Sequence, residues 1–120
     1  ARAALKDEAW PVRCAGVRVL AACGESSAHK LLLDAASNEK EQEAVRGAAL
    51  RALAGLDAPG TIKLSCHLIS TGDASLTEDA YEALRSLQRT HGNLLEETAR
   101  TCAPRASSII NFIRTATTDE

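Results

Sequence analysis

Val12-Arg13-Cys14-Ala15-Gly16-Val17-Arg18-Val19-Leu20-Ala21-Ala22-Cys23 and Val45-Arg46-Gly47-Ala48-Ala49-Leu50-Arg51-Ala52-Leu53-Ala54-Gly55-Leu56 are two versions of one pattern, 33 residues apart. In the first, Val12, Ala15, Gly16, Val19, Leu20 and Cys23 lie at offsets 0, 3, 4, 7, 8 and 11; in the second, Val45, Ala48, Ala49, Ala52, Leu53 and Leu56 repeat them. Each set marks one face of an amphipathic helix. Self-similarity at this period is the signature of stacked helical repeats.

Outward from these two helices, the spacing predicts a chain made of helices alone. A stub covers Arg2 to Asp7, and helices follow over Pro11–Cys23, Ser27–Ser37, Glu41–Leu56, Pro59–Ser70 and Thr77–Thr90. A short helix carries Leu94, Leu95 and Cys102, and a last one opens at Pro104 with Ala106, Ile109, Ile110 and Ile113 in register. Thr77 with Glu78 and Asp79 is read as an acidic first turn beside the helix's positive end. Gly24, Thr71-Gly72-Asp73 and His91-Gly92-Asn93 are the expected breaks. Pro11, Pro59 and Pro104 each fall at an expected helix start, where no N–H donor is needed. Thr115 to Glu120 lack an apolar pattern and are expected to fray.

Connections this short force sequential helices to pack antiparallel. The expected fold is therefore all-α, an α-α superhelix of about four antiparallel helix pairs, each needing the next to cover its apolar stripe. Residues 1–120 read as a single repeat domain excised from a longer solenoid. A chain of this size buries roughly two-thirds of its unfolded surface. With one Trp, one Tyr, one Phe and no Met, packing falls to Ala, Leu, Val and Ile.

Fourteen basic and sixteen acidic residues are interspersed, for a net charge of −2. That balance gives no electrostatic footprint for nucleic acid or an anionic membrane. No stretch has the length to span a bilayer and no signal peptide is evident. Cys14, Cys23, Cys66 and Cys102 are spaced by 9, 43 and 36 residues, with no Cys-x-x-Cys pair. They read as reduced thiols packing as small hydrophobes in a cytoplasmic or nuclear protein.

At Asp7-Glu8-Ala9-Trp10-Pro11-Val12-Arg13, followed by Ala15 and Leu20, the chain resembles a HEAT repeat. That family's pattern sets an Asp five residues ahead of a Val-Arg pair, in front of the second helix of each unit. The resemblance implies that Val12 enters the core while Arg13 reaches the acidic side chain of a neighbouring turn. In the next unit Val45-Arg46 recurs, but Lys40 holds the Asp position, with Glu39 and Glu41 beside it as substitutes. The third unit keeps Ala83, Leu84 and Leu87 without the Val-Arg pair, and the fourth keeps only the apolar spacing. Fading of this kind is what a capping repeat shows.

Chemistry is sparse. His29, His67 and His91 are isolated, and none heads the His-Glu pairs by which the similar deoxyhypusine hydroxylases hold di-iron. No cofactor, metal site or catalytic residue is expected. The functional candidates are arginines. Arg18, Arg51 and Arg85 hold equivalent places in three successive units, with Arg89 one turn beyond Arg85. They form an expected ladder off the apolar stripe, suited to an acidic protein segment; the bland reading is a solvated face of exposed bridges. Trp10 is a candidate anchor or a ring packed over its helix pair.

The expected function is a non-enzymatic protein–protein interaction scaffold or adaptor, with Trp10, Arg18, Arg51, Arg85 and Arg89 facing the partner. Self-association through the solenoid's exposed end is a further route. The competing class is an enzyme or enzyme accessory on the same fold, similar to alkylpurine DNA glycosylases or bilin lyases. Tubulin-binding TOG domains also carry a loop Trp of this kind. A deep pocket with a buried carboxylate beside an aromatic ring would favour the enzyme class; a smooth helical ridge favours the scaffold.

Overall fold

The computed structural model describes residues 6–23, 26–71 and 74–118. Six helices follow in order: α1 (Trp10–Cys23), α2 (Ser26–Ser37), α3 (Glu43–Leu56), α4 (Ala58–Thr71), α5 (Ala74–Thr101) and α6 (Pro104–Thr118). No strand occurs among the described residues. The expected stub lies mostly outside them, as do the breaks at Gly24 and Gly72-Asp73. All three prolines sit in the first turn of a helix.

α5 is two helices in one. His91 leaves helical geometry at φ −132°, ψ 36°, at the break read from His91-Gly92-Asn93. Its first part begins at Ala74, so Thr77, Glu78 and Asp79 lie one turn inside the helix rather than at its start. α6 continues to Thr118, past Ile113, where the apolar pattern ends; the Thr115 hydroxyl donates to the Asn111 carbonyl at 2.5 Å in this extra turn.

The chain divides into two compact units, residues 1–57 and 58–120. In the first, α3 packs against both α1 and α2. Two neighbours explain why Val45 through Leu50 are buried without interruption, a pattern no single-faced helix would show. Val45, Ala48, Ala49 and Leu53 are core, as their spacing predicts, whereas Ala52 is half-buried and Leu56 is 39% exposed.

α1 corrects the reading of the first stripe. Its core side chains are Cys14, Val17 and Leu20, with Gly16 beside them. Val12 and Val19 are 40% and 49% exposed, and Ala15 and Cys23 are exposed too. Only Arg13 and Arg18 interrupt a helix otherwise apolar or small from Trp10 onward. Such a helix has two candidate inner faces, and packing on α3 selects the one through Val17.

In the second unit α4 packs on α5 and α6, and α5 packs on α6. Ile62, Ile69, Leu76, Leu84, Leu95, Ile110 and Ile113 are almost fully buried. The Ser107 hydroxyl fastens α6 to α5 by donating to the Ala99 carbonyl at 2.6 Å.

Candidate binding surface

The turns of unit 1 set where its helices begin, and Arg13 organises them. Asp7 accepts the Ala9 N–H at 2.8 Å, fixing the turn before α1. Arg13 then donates to the carbonyls of Asp7 and Glu8 at 2.7 and 2.9 Å. Its Nε and Nη2 meet the Glu41 carboxylate at 3.0 and 2.7 Å. A two-pronged guanidinium–carboxylate pair of this kind is directional as well as strong. Glu41 thus takes the place that Lys40 cannot fill.

Burial by itself would push the Glu41 carboxyl up. The hydrogen bond from Arg13, the Gln42 N–H at 2.7 Å and the Arg13 charge together hold it below the usual carboxylate range. With Glu41 so engaged, α3 starts at Glu43, with extended Gln42 as its cap. Arg46, the counterpart of Arg13, is buried at 4% exposure, and its Nε donates to the Ala36 carbonyl at 3.0 Å. Asp57 closes the far end of α3 through its N–H to the Leu53 carbonyl at 2.7 Å, and its carboxylate meets His29 Nε2 at 2.8 Å.

These fastenings hold α1 and α3 side by side. Arg18 and Arg51 come together on them, lining one open groove of about 320 Å³ with Val17, Ala21, Ala48 and Ala52. Both arginines are exposed. Trp10, 44% exposed, begins α1 seven residues before Val17, two helical turns along the same face. Spacing alone places Ala48 and Ala52 on the inner stripe and gives no role to Ala21; only the packing of two helices makes these alanines a floor.

Arg85 and Arg89 lie one turn apart on α5, exposed, in the second unit. A separate groove of about 450 Å³ in that unit is lined by Gln88, Asn111, Arg114 and Thr115. Arg114 Nη2 stands 3.6 Å from Glu96. Phe112 is exposed, its ring 6.5 Å from that of Tyr81. The one sequence signal for Phe112 is its place off the Ile109–Ile110–Ile113 register.

All four cysteines are free thiols. Burial, with a smaller contribution from the adjacent Cys102 thiol, pushes the Cys66 thiol up to about 12, so Cys66 stays protonated and inert at neutral pH. Among the described residues no three His, Cys, Asp or Glu side chains converge as metal ligands. No described helix is long and apolar enough to cross a membrane.

Paired helices at a period of 33 residues, tied by an arginine to the acidic turn of the next unit, define the architecture. The family model for HEAT repeats matches residues 1–88. The chain belongs to the HEAT-repeat family. The matched part covers α1 to α4 and residues 74–88 of α5, so it includes both helices that bear Arg18 and Arg51. No curated protein and no solved structure matches the chain.

Proposed function

We propose that this HEAT-repeat chain is a non-enzymatic protein-interaction module, a scaffold segment that presents helix faces to another protein. The observation that carries the reading is the open groove where Arg18 and Arg51 meet across α1 and α3. HEAT repeats commonly mediate protein–protein interaction. The groove is broad and solvent-facing, and Trp10 adds a large amphipathic ring on the same helix, the residue type enriched at interface hot spots. Arg85 and Arg89 supply charge from the second unit in the same role. Four free thiols suit a reducing compartment, the cytoplasm or nucleus.

The test is cross-linking of the protein in its native extract, with cross-linked proteins identified by mass spectrometry. The double charge reversal Arg18→Glu/Arg51→Glu should remove a specific cross-linked protein, while Lys63→Glu, an exposed change on α4, should not. Identical profiles for the wild type and the double variant would refute the α1–α3 face as the interaction surface.

A further inference from the structure

The outward side of α1 is apolar along its whole length. Val12 and Val19 are 40% and 49% exposed, and Ala15 and Ala22 are exposed with them. At offsets 0, 3, 7 and 10 these four share one face, opposite the Cys14, Val17 and Leu20 face that enters the core. A helix packed on one side ordinarily turns polar or charged groups to the other. Here the charged residue at the border is Arg18 alone among residues 10–23, since Arg13 is turned to Glu41.

The repeat shows what such a face receives. Thirty-three residues on, Val12, Ala15 and Val19 become Val45, Ala48 and Ala52 of α3. There Val45 is 1% and Ala48 9% exposed, and Ala52 is half-buried. Ala48 and Ala52 come together with Val17 and Ala21 of α1, so on α3 this side is the one against which a helix packs. The equivalent side of α1 stands open.

The open face is also self-complementary. Run antiparallel about a twofold axis level with Val17, two copies set Val12 level with the partner's Ala22, and Ala15 level with the partner's Val19. Each larger side chain then has a small one beside it, and the contact closes at two copies. Antiparallel helices oppose their dipoles, and a net charge of −2 leaves little repulsion between copies.

We infer that the face of α1 bearing Val12, Ala15, Val19 and Ala22 pairs with the same face of a second copy of this chain, in a twofold-symmetric antiparallel contact. This face is turned away from α3, so the dimer and the interaction module stand or fall separately. With 14 residues, α1 offers about 21 Å by 10 Å, or roughly 200 Å² per copy. A standard interface takes about 800 Å² per partner. Association is therefore weak and reversible, with Kd on the order of 100 µM.

The experiment is sedimentation equilibrium of the whole chain under reducing conditions, from about 10 to 500 µM, a range that brackets this Kd. The average mass should rise toward twice that of the monomer and no further. Val19→Glu or Val12→Glu, each setting two unpaired carboxylates into the contact, should weaken dimerisation at least about tenfold. Unchanged far-ultraviolet circular dichroism shows that these exposed changes leave the fold intact. Phe112→Glu, at a 62% exposed ring of the second unit, should leave the dimer as it is. About 0.5 M salt should not dissolve an uncharged contact. The twofold brings the two Arg18 side chains within about 10 Å of each other, so Arg18→Gln should tighten the dimer about twofold.

A monomer throughout the concentration range would overturn the inference. Growth beyond the dimer would also overturn it, since that marks a head-to-tail contact. Val19→Glu and Val12→Glu dimerising like the wild type, or Phe112→Glu abolishing the dimer, would put the contact elsewhere and overturn it too. Dissociation by salt, or weakening by Arg18→Gln, would refute the antiparallel pairing of the α1 faces.

Discussion

Truncating Leu53 to alanine tests the core of the first unit. Leu53 is 0% exposed on α3, a helix held from two sides by α1 and α2. Leu→Ala removes three carbons, and at about 0.8 kcal/mol per buried carbon the transfer loss is roughly 2.4 kcal/mol. A cavity term adds to this, because neighbours on two sides, themselves anchored by Arg13 and Arg46, cannot easily collapse inward. The expected cost is about 3–4 kcal/mol, inside the usual range for buried Leu→Ala changes.

Trp10 is the sole tryptophan and lies in the same unit as Leu53. Its fluorescence during urea unfolding reads unit 1, while circular dichroism at 222 nm reads all the helices. The fluorescence midpoint should fall steeply in Leu53→Ala. Leu56→Ala, at a site 39% exposed three residues on, should cost under about 1 kcal/mol. Equal losses for the two variants, or a Leu53→Ala loss below about 0.5 kcal/mol, would refute the placement of Leu53 in the α1–α3–α2 core.

Two further outcomes are expected. Glu41 has its carboxyl lowered in the folded state, so its contribution is present above the unfolded value of about 4.5 and is lost as pH falls through the folded one. Urea midpoints measured from pH 7 to 3 should therefore drop below about pH 4.5 in the wild type, and drop less in Glu41→Gln; parallel profiles would show that the Arg13–Glu41 pair does not contribute. Thr61 is fully buried on α4, and its hydroxyl has no hydrogen-bond partner among the described residues. The nearly isosteric Thr61→Val should raise stability by about 1 kcal/mol, and a lowered urea midpoint would reveal a partner for that hydroxyl.

The sequence alone determined that the chain is helical and where most of its helices lie, because that depends on local chemistry. Ala and Leu at 3.6-residue spacing, prolines in first turns and His91-Gly92-Asn93 act on neighbours within a turn or two. The echo between Val12-Arg13 and Val45-Arg46 likewise discloses the repeat and narrows the stand-in acid to Glu39 or Glu41, both adjoining Lys40; the structure selects Glu41. Two matters waited for the tertiary structure. α1 is apolar on opposite sides, so its periodicity admitted two inner faces, and only contact with α3 buried Cys14, Val17 and Leu20 while leaving Val12 and Val19 open. Similarly, equal spacing put Arg18 and Arg51 at equivalent places on separate helices, yet a groove is a property of two packed surfaces. Its alanine floor came into being only when α1 and α3 met, because no local pattern encodes the space between helices.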